Sequence, residues 1–182
     1  MLEFAIAFIA GALVKTVDWL DDTLKSRHPV KYLLAIFYGI AIGYLISVPQ
    51  LSAIFLAALA AQILGRKVDT AAHKLGFAAA TLSLLAFGFP TIEPLLFLFF
   101  MVMALLDEMD YIGRLRPLVE YRPFLKIGSL VPVAWGAWEY FVGIIIFDIG
   151  YEMITALTKS REEEAKQSAL RARTPRTRNS KP

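Results

Sequence analysis

The 182-residue chain has no cysteine, which excludes a disulfide scaffold and a thiolate metal centre. It has two histidines, His28 and His73, each alone in its segment, so no pair is spaced for zinc. No P-loop, dinucleotide-binding glycine pattern or Ser/His/Asp set occurs. What it has in excess is apolar residues: 57%, with a mean hydropathy of +0.56. Soluble domains hold about 45–50% apolar residues even when Gly is counted. A domain of about 150 residues buries roughly 68–70% of its surface, too little to hide such an excess in one core. A disordered or collagen-like chain is excluded on the same grounds.

The net charge of +3 combines two unlike parts. Residues 159–182 carry eight Lys/Arg and three Glu, whereas residues 1–158 carry 11 basic and 13 acidic residues. The basic pI therefore belongs to a polar tail, with Arg171, Arg173, Arg176, Arg178 and Lys181 among Thr, Pro, Ser and Asn. The tail reads as a helical start through Glu162, Glu163 and Glu164 followed by a solvated basic segment, cytoplasmic or peripheral. It can touch anionic lipid but implies no specific nucleic-acid partner.

Residues 1–158 break into apolar stretches at about Phe4–Leu20, Tyr32–Val48, Leu51–Leu64, Leu75–Phe89, Pro94–Leu106 and Ile127–Phe147. A bilayer core needs about 20 mostly apolar residues, with a range of roughly 17–25. Six apolar helices without polar faces cannot be covered in a soluble chain of this length. The expected fold is all-α, a polytopic transmembrane bundle of six or seven segments in the cell membrane. The N-terminal run has no basic residue ahead of it and is followed by Lys15, unlike a cleavable signal.

All 11 basic residues before Lys159 fall in three groups: Lys15, Lys25, Arg27 and Lys31; Arg66, Lys67 and Lys74; Arg114, Arg116, Arg122 and Lys126. The turns Ser47–Ser52 and Gly88–Pro94 have none. This asymmetry places the three charged connections in the cytoplasm and the N-terminus outside, giving three hairpins. Two arrangements fit the C-terminal part. A single sixth helix leaves the basic tail outside. Alternatively, Phe124–Gly136 dips in and Trp138–Thr158 crosses back, with Trp135 and Trp138 at one interface and Lys159 and Arg161 at the other.

Two of the charged connections repeat a pattern. The first reads Asp18-x2-Asp21-x3-Lys25-x-Arg27-His28-Pro29, the second Asp107-x2-Asp110-x3-Arg114-x-Arg116-Pro117. On a continuing helix, positions i, i+3 and i+7 share a face. Asp22 and Glu108 add carboxylates beside them. Mg²⁺ takes one or two carboxylates together with phosphate oxygens and water. The pattern thus makes Asp18, Asp21, Asp22, Asp107 and Asp110 candidate metal ligands. Asp18, Asp21, Asp107 and Asp110 are then the candidate catalytic groups, with Lys25, Arg27, Arg66, Lys67, Arg114 and Arg116 as candidate phosphate binders. Carboxylates one turn from Lys or Arg are also ordinary salt-bridged residues at a helix end.

Paired Asp motifs on two cytoplasmic connections resemble the UbiA-type intramembrane prenyltransferases. The resemblance implies Mg²⁺ held by the aspartates against a prenyl diphosphate, with the apolar bundle holding the prenyl chain, and hence a transferase. It covers only the Asp18/Asp21 and Asp107/Asp110 regions. This chain has Val17 where the family's first motif begins with Asn, and Lys25 at its third Asp. It also has a shorter spacing in the second motif and fewer helices.

Glu139 and Asp148 are the remaining acids of interest. With a single sixth helix Glu139 lies deep in the membrane; with the returning segment it moves to the outer interface and Asp148 becomes the central acid. Three functions follow. One is binding or processing of a phosphorylated lipid with Mg²⁺. The second is a small transporter or channel using Glu139 or Asp148. The third is a non-catalytic membrane subunit, with a second copy of the chain among its candidate partners.

Overall fold

The computed structural model describes residues 1–24, 29–109 and 123–173, and among these all regular structure is helical. The helices are α1 (Leu2–Leu24), α2 (Val30–Ser47), α3 (Pro49–Leu64), α4 (Ala71–Phe87), α5 (Pro94–Glu108), α6 (Pro123–Ser129) and α7 (Glu139–Arg173). A 3₁₀ turn, Val131–Trp135, follows α6. The two turns without basic residues are built by proline. Val48 and Glu93 are extended (ψ 115° and 113°) because the residue before proline is pushed out of the helical region, and Pro49 and Pro94 then start α3 and α5.

Two helix pairs approach through glycine. On α2, a Cβ built on Gly39 meets the Gly76 carbonyl oxygen of α4 at 2.2 Å, and one on Gly43 meets that of Ala80 at 2.5 Å. On α1, a Cβ on Gly11 would overlap the Phe147 carbonyl of α7, and one on Gly150 that of Phe8. Where no aqueous hydrophobic effect drives helices together, small residues permit the backbone contact that does. The order of contacts makes α2 and α4 parallel, and α1 and α7 parallel. Phe4 stacks on Trp138 at 5.9 Å at one end of the α1–α7 pair, and Asp18 bonds Tyr151 toward the other.

The core lies among α2, α3, α5 and α7, where Phe100, Leu45, Ile46, Leu51 and Ile54 are fully buried and Phe100 packs on Tyr140 at 5.1 Å. The hairpin picture needs revision in the middle. α3 and α4 are joined by residues 65–70, yet α4 lies against α2, and α3 against α5. Large apolar side chains also face outward along several helices, among them Leu33, Phe37, Leu82, Leu85, Leu95 and Val102, each at least half exposed. Two helices, Val30–Ser47 and Glu139–Arg161, are long and apolar enough to cross a membrane.

Among the described residues, the C-terminal part is a short helix and a 3₁₀ turn followed by a long helix, not one continuous helix. The Phe124 amide bonds Asp107, at the end that also holds Asp18 and Asp21, and twelve residues later the chain reaches Gly136 near Phe4 and Trp138. Gly136 turns there with φ +93°, a conformation that side-chain-bearing residues avoid, and α7 runs back. α7 extends to Arg173, well past Glu162–Glu164.

Gly39→Ala is expected to destabilise the bundle by about 1–3 kcal/mol, the range for overpacking, because the added methyl meets a carbonyl rather than a movable side chain. A lowered melting midpoint in detergent, by size-exclusion or intrinsic fluorescence, checks this.

Candidate functional site

The polar groups collect at one end of the bundle. Thr70 caps α4, its hydroxyl accepting the His73 amide at 3.3 Å, which sets His73 in the first turn. From there the His73 Nε2 faces an Asp18 carboxylate oxygen at 3.1 Å. The other Asp18 oxygen accepts the Tyr151 hydroxyl at 3.1 Å. On its far side, His73 Nδ1 meets the Tyr38 hydroxyl at 3.1 Å. Tyr38 reaches it because residue 76 is glycine: a Cβ there would lie 2.2 Å from the Tyr38 ring and hydroxyl. Lys15 completes the cluster, 3.4 Å from the Tyr151 hydroxyl and 5.0 Å above its ring.

A second knot adjoins it. Asp21 pairs with Lys31 through one oxygen and accepts the Thr70 hydroxyl at 2.9 Å through the other. Burial works to raise the Asp21 pKa, but the hydrogen bonds from Lys31 and Thr70 outweigh it and hold the group below the ordinary aspartate value. His73 moves the other way. The hydrogen bond to Asp18 raises its pKa, burial opposes this, and the negative charges of Asp18, Asp21 and Asp69 add to the rise. His73 lies ahead of the apolar stretch that begins at Leu75.

Asp18, Tyr38, His73 and Tyr151 line a cavity of about 290 Å³. Lys67, Glu108 and Gln62 contribute further polar groups, and Val14, Ile42, Leu59, Phe77, Ala80 and Phe147 form the apolar remainder. Lys67 is aimed there by the end of α3. Its amide bonds the Gln62 carbonyl at 2.9 Å and the Arg66 amide bonds that of Ile63 at 3.0 Å, with Arg66 at φ +57°. This is the double bond of a Schellman cap, with arginine where glycine is usual. A smaller, apolar recess of about 50 Å³ shares Ile42, Leu59, Gln62 and Phe147 with the cavity. It reaches the Lys126–Asp148 ion pair, which links α6 to α7.

The sequence candidates therefore divide. Asp18, Lys67 and Glu108 face the cavity; Asp21 stands beside it; Asp22 and Arg66 are exposed. Asp107 is buried elsewhere, its two oxygens accepting the Phe124 and Leu125 amides at 3.0 and 2.8 Å, so that it caps α6. Lys25, Arg27, Asp110, Arg114 and Arg116 lie outside the described residues. Glu139 is at the opposite end, with Glu3, Phe4, Tyr44 and Trp138 around a separate cavity, and Asp148 is paired to Lys126. Lys15, Lys31, Lys74 and Lys126 are helical rather than in connections.

Mg²⁺ does not fit Asp18, Asp21 and Asp107 as arranged. Both oxygens of Asp18, Asp21 and Asp107 have protein donors, and among the described residues no three acidic or His side chains converge on a common point. His73, Tyr38 and Tyr151, which build the cavity's polar wall, were not legible as a unit. They are 35 to 113 residues apart, and only Gly76 beside a tyrosine-length gap marks the spot.

Two outcomes test the cluster. The Asp18–His73 contribution is present in full below the unfolded histidine value near 6.5 and is lost as pH rises through the higher folded value. The melting midpoint should fall as pH rises above about 6.5, and His73→Gln should flatten that slope. Asp107→Ala is expected to cost about 0.5–2 kcal/mol by uncapping α6, with Asp107→Asn milder, in thermal melts.

No protein-family model matches the chain, and neither a curated protein nor a solved structure is significantly similar to it.

Proposed function

We propose that this is a multi-pass integral membrane protein that binds the polar head of an amphipathic ligand, a phosphorylated lipid, in the cavity at its cytoplasmic end. The cavity carries the reading. Its wall of Asp18, His73, Tyr38, Tyr151 and Lys67 sits at the polar end, and its apolar side continues into the recess beside Phe147. A head group with a hydrocarbon chain matches that division better than a wholly polar solute does.

The membrane assignment is supported by the outward apolar surface, the two membrane-length helices and the glycine-mediated helix contacts. The shorter helices α3, α4 and α5 span the same layer beside them. Among the described residues, Lys15, Lys31, Lys67, Lys74 and Lys126 stand toward the end that holds the cavity, which supports a cytoplasmic side for that end, with α7 running toward it. What favours binding over metal-assisted transfer is that Asp18, Asp21 and Asp107 are spent on protein partners.

The test uses the full chain in detergent. Dihexanoyl phosphatidylglycerol should bind at least tenfold more tightly than glycerophosphoglycerol, its head without chains, by calorimetry and with EDTA present. Val14→Trp, which places bulk in the cavity, should abolish binding while leaving the helical circular dichroism intact. Equal affinity for both probes, or a strict need for Mg²⁺, would overturn this reading.

A further inference from the structure

His73 touches a different kind of partner through each ring nitrogen. Nε2 faces a carboxylate, which only accepts, so Nε2 carries a proton whether the ring is neutral or charged. Nδ1 faces a hydroxyl, which can give or take. With the ring neutral, the Tyr38 O–H donates to Nδ1. With the ring charged, Nδ1–H donates to the Tyr38 oxygen, and the phenolic proton must turn away from the imidazole. Tyr38 lines the cavity, so the displaced donor is offered there.

The charge changes with it. A neutral His73 still donates its Nε2–H to Asp18 but brings no positive charge to it, and the other Asp18 oxygen has the Tyr151 hydroxyl, itself 3.4 Å from Lys15. A protonated His73 makes a neutral pair with Asp18. The other charges near the ring are Asp21 on α1 and Asp69 before α4, while Lys67 and Glu108 enter the cavity from α3 and α5. Of these side-chain types, only histidine ordinarily titrates between pH 5 and 8.

We propose that the cavity takes up one proton with its ligand. Protonated His73 turns Tyr38 into a hydrogen-bond donor toward the head group and neutralises Asp18, so the site selects a head with acceptor oxygens and negative charge, such as a phosphodiester. The proton is bound to Nδ1 and is released when the ligand leaves; no covalent bond changes. This inference deepens the lipid-head reading and rests on it. The Asp18 hydrogen bond raises the His73 pKa and so favours the protonated ring.

Calorimetry of dihexanoyl phosphatidylglycerol in buffers of different ionisation enthalpy counts the protons, because the phosphodiester itself stays ionised. At a pH above the His73 value, about one proton should be taken up per lipid, and affinity should fall about tenfold per pH unit. His73→Gln should remove both the uptake and the slope. Tyr38→Phe should keep the uptake but bind several-fold more weakly at pH 6. ¹⁵N spectra of the His73 ring, assigned in a His28→Gln background, should show the Nε2–H tautomer at high pH.

Binding without proton uptake, a slope retained in His73→Gln, or the Nδ1–H tautomer would overturn the coupling and leave the lipid-head reading standing. No binding at any pH would overturn both.

Discussion

The carboxylate of Asp18 is the point on which the polar end of this bundle depends. It sits about three-quarters buried on α1, and a charge in that position is costly unless both oxygens find donors. The donors come from helices distant in sequence, His73 on α4 and Tyr151 on α7. Satisfying one group thus fixes three helices at one level. Because His73 is held by its Nε2, its Nδ1 is aimed at Tyr38, and α2 is drawn into the same arrangement. The cavity lies beside the satisfied carboxylate, between these four helices and the ends of α3 and α5.

Glycine makes that geometry reachable. A hydrogen bond of about 3 Å between side chains on neighbouring helices requires the backbones to approach first. At Gly39 and Gly43 on α2, and Gly11 and Gly150 between α1 and α7, a single methyl would force them apart. Gly76 serves differently, clearing room for the Tyr38 ring rather than for a helix. The packing contacts and the polar cluster are therefore coupled through the same helices.

The third element is the short stretch from Pro123 to Trp135. It runs from the Asp107 cap as about two turns of α-helix and then a 3₁₀ turn, which rises further per residue. It delivers Lys126 to Asp148 on α7.

The helical class and the positions of the first five apolar segments were legible in the sequence, because each depends on composition and on spacing along the chain, whereas Ile127–Phe147 is broken at Gly136. The proline turns at Val48–Pro49 and Glu93–Pro94 were legible for the same local reason. The role of each acid was not. Asp18 and Asp107 stand at the first position of the same motif, yet one faces a cavity and the other caps a helix. The difference arises from what lies opposite: a histidine 55 residues further along in one case, two backbone amides at the start of α6 in the other. Sequence determines which groups are charged and how often they recur. Which charges meet, and which oxygen is left for a ligand, is decided only when helices far apart in the chain are brought side by side.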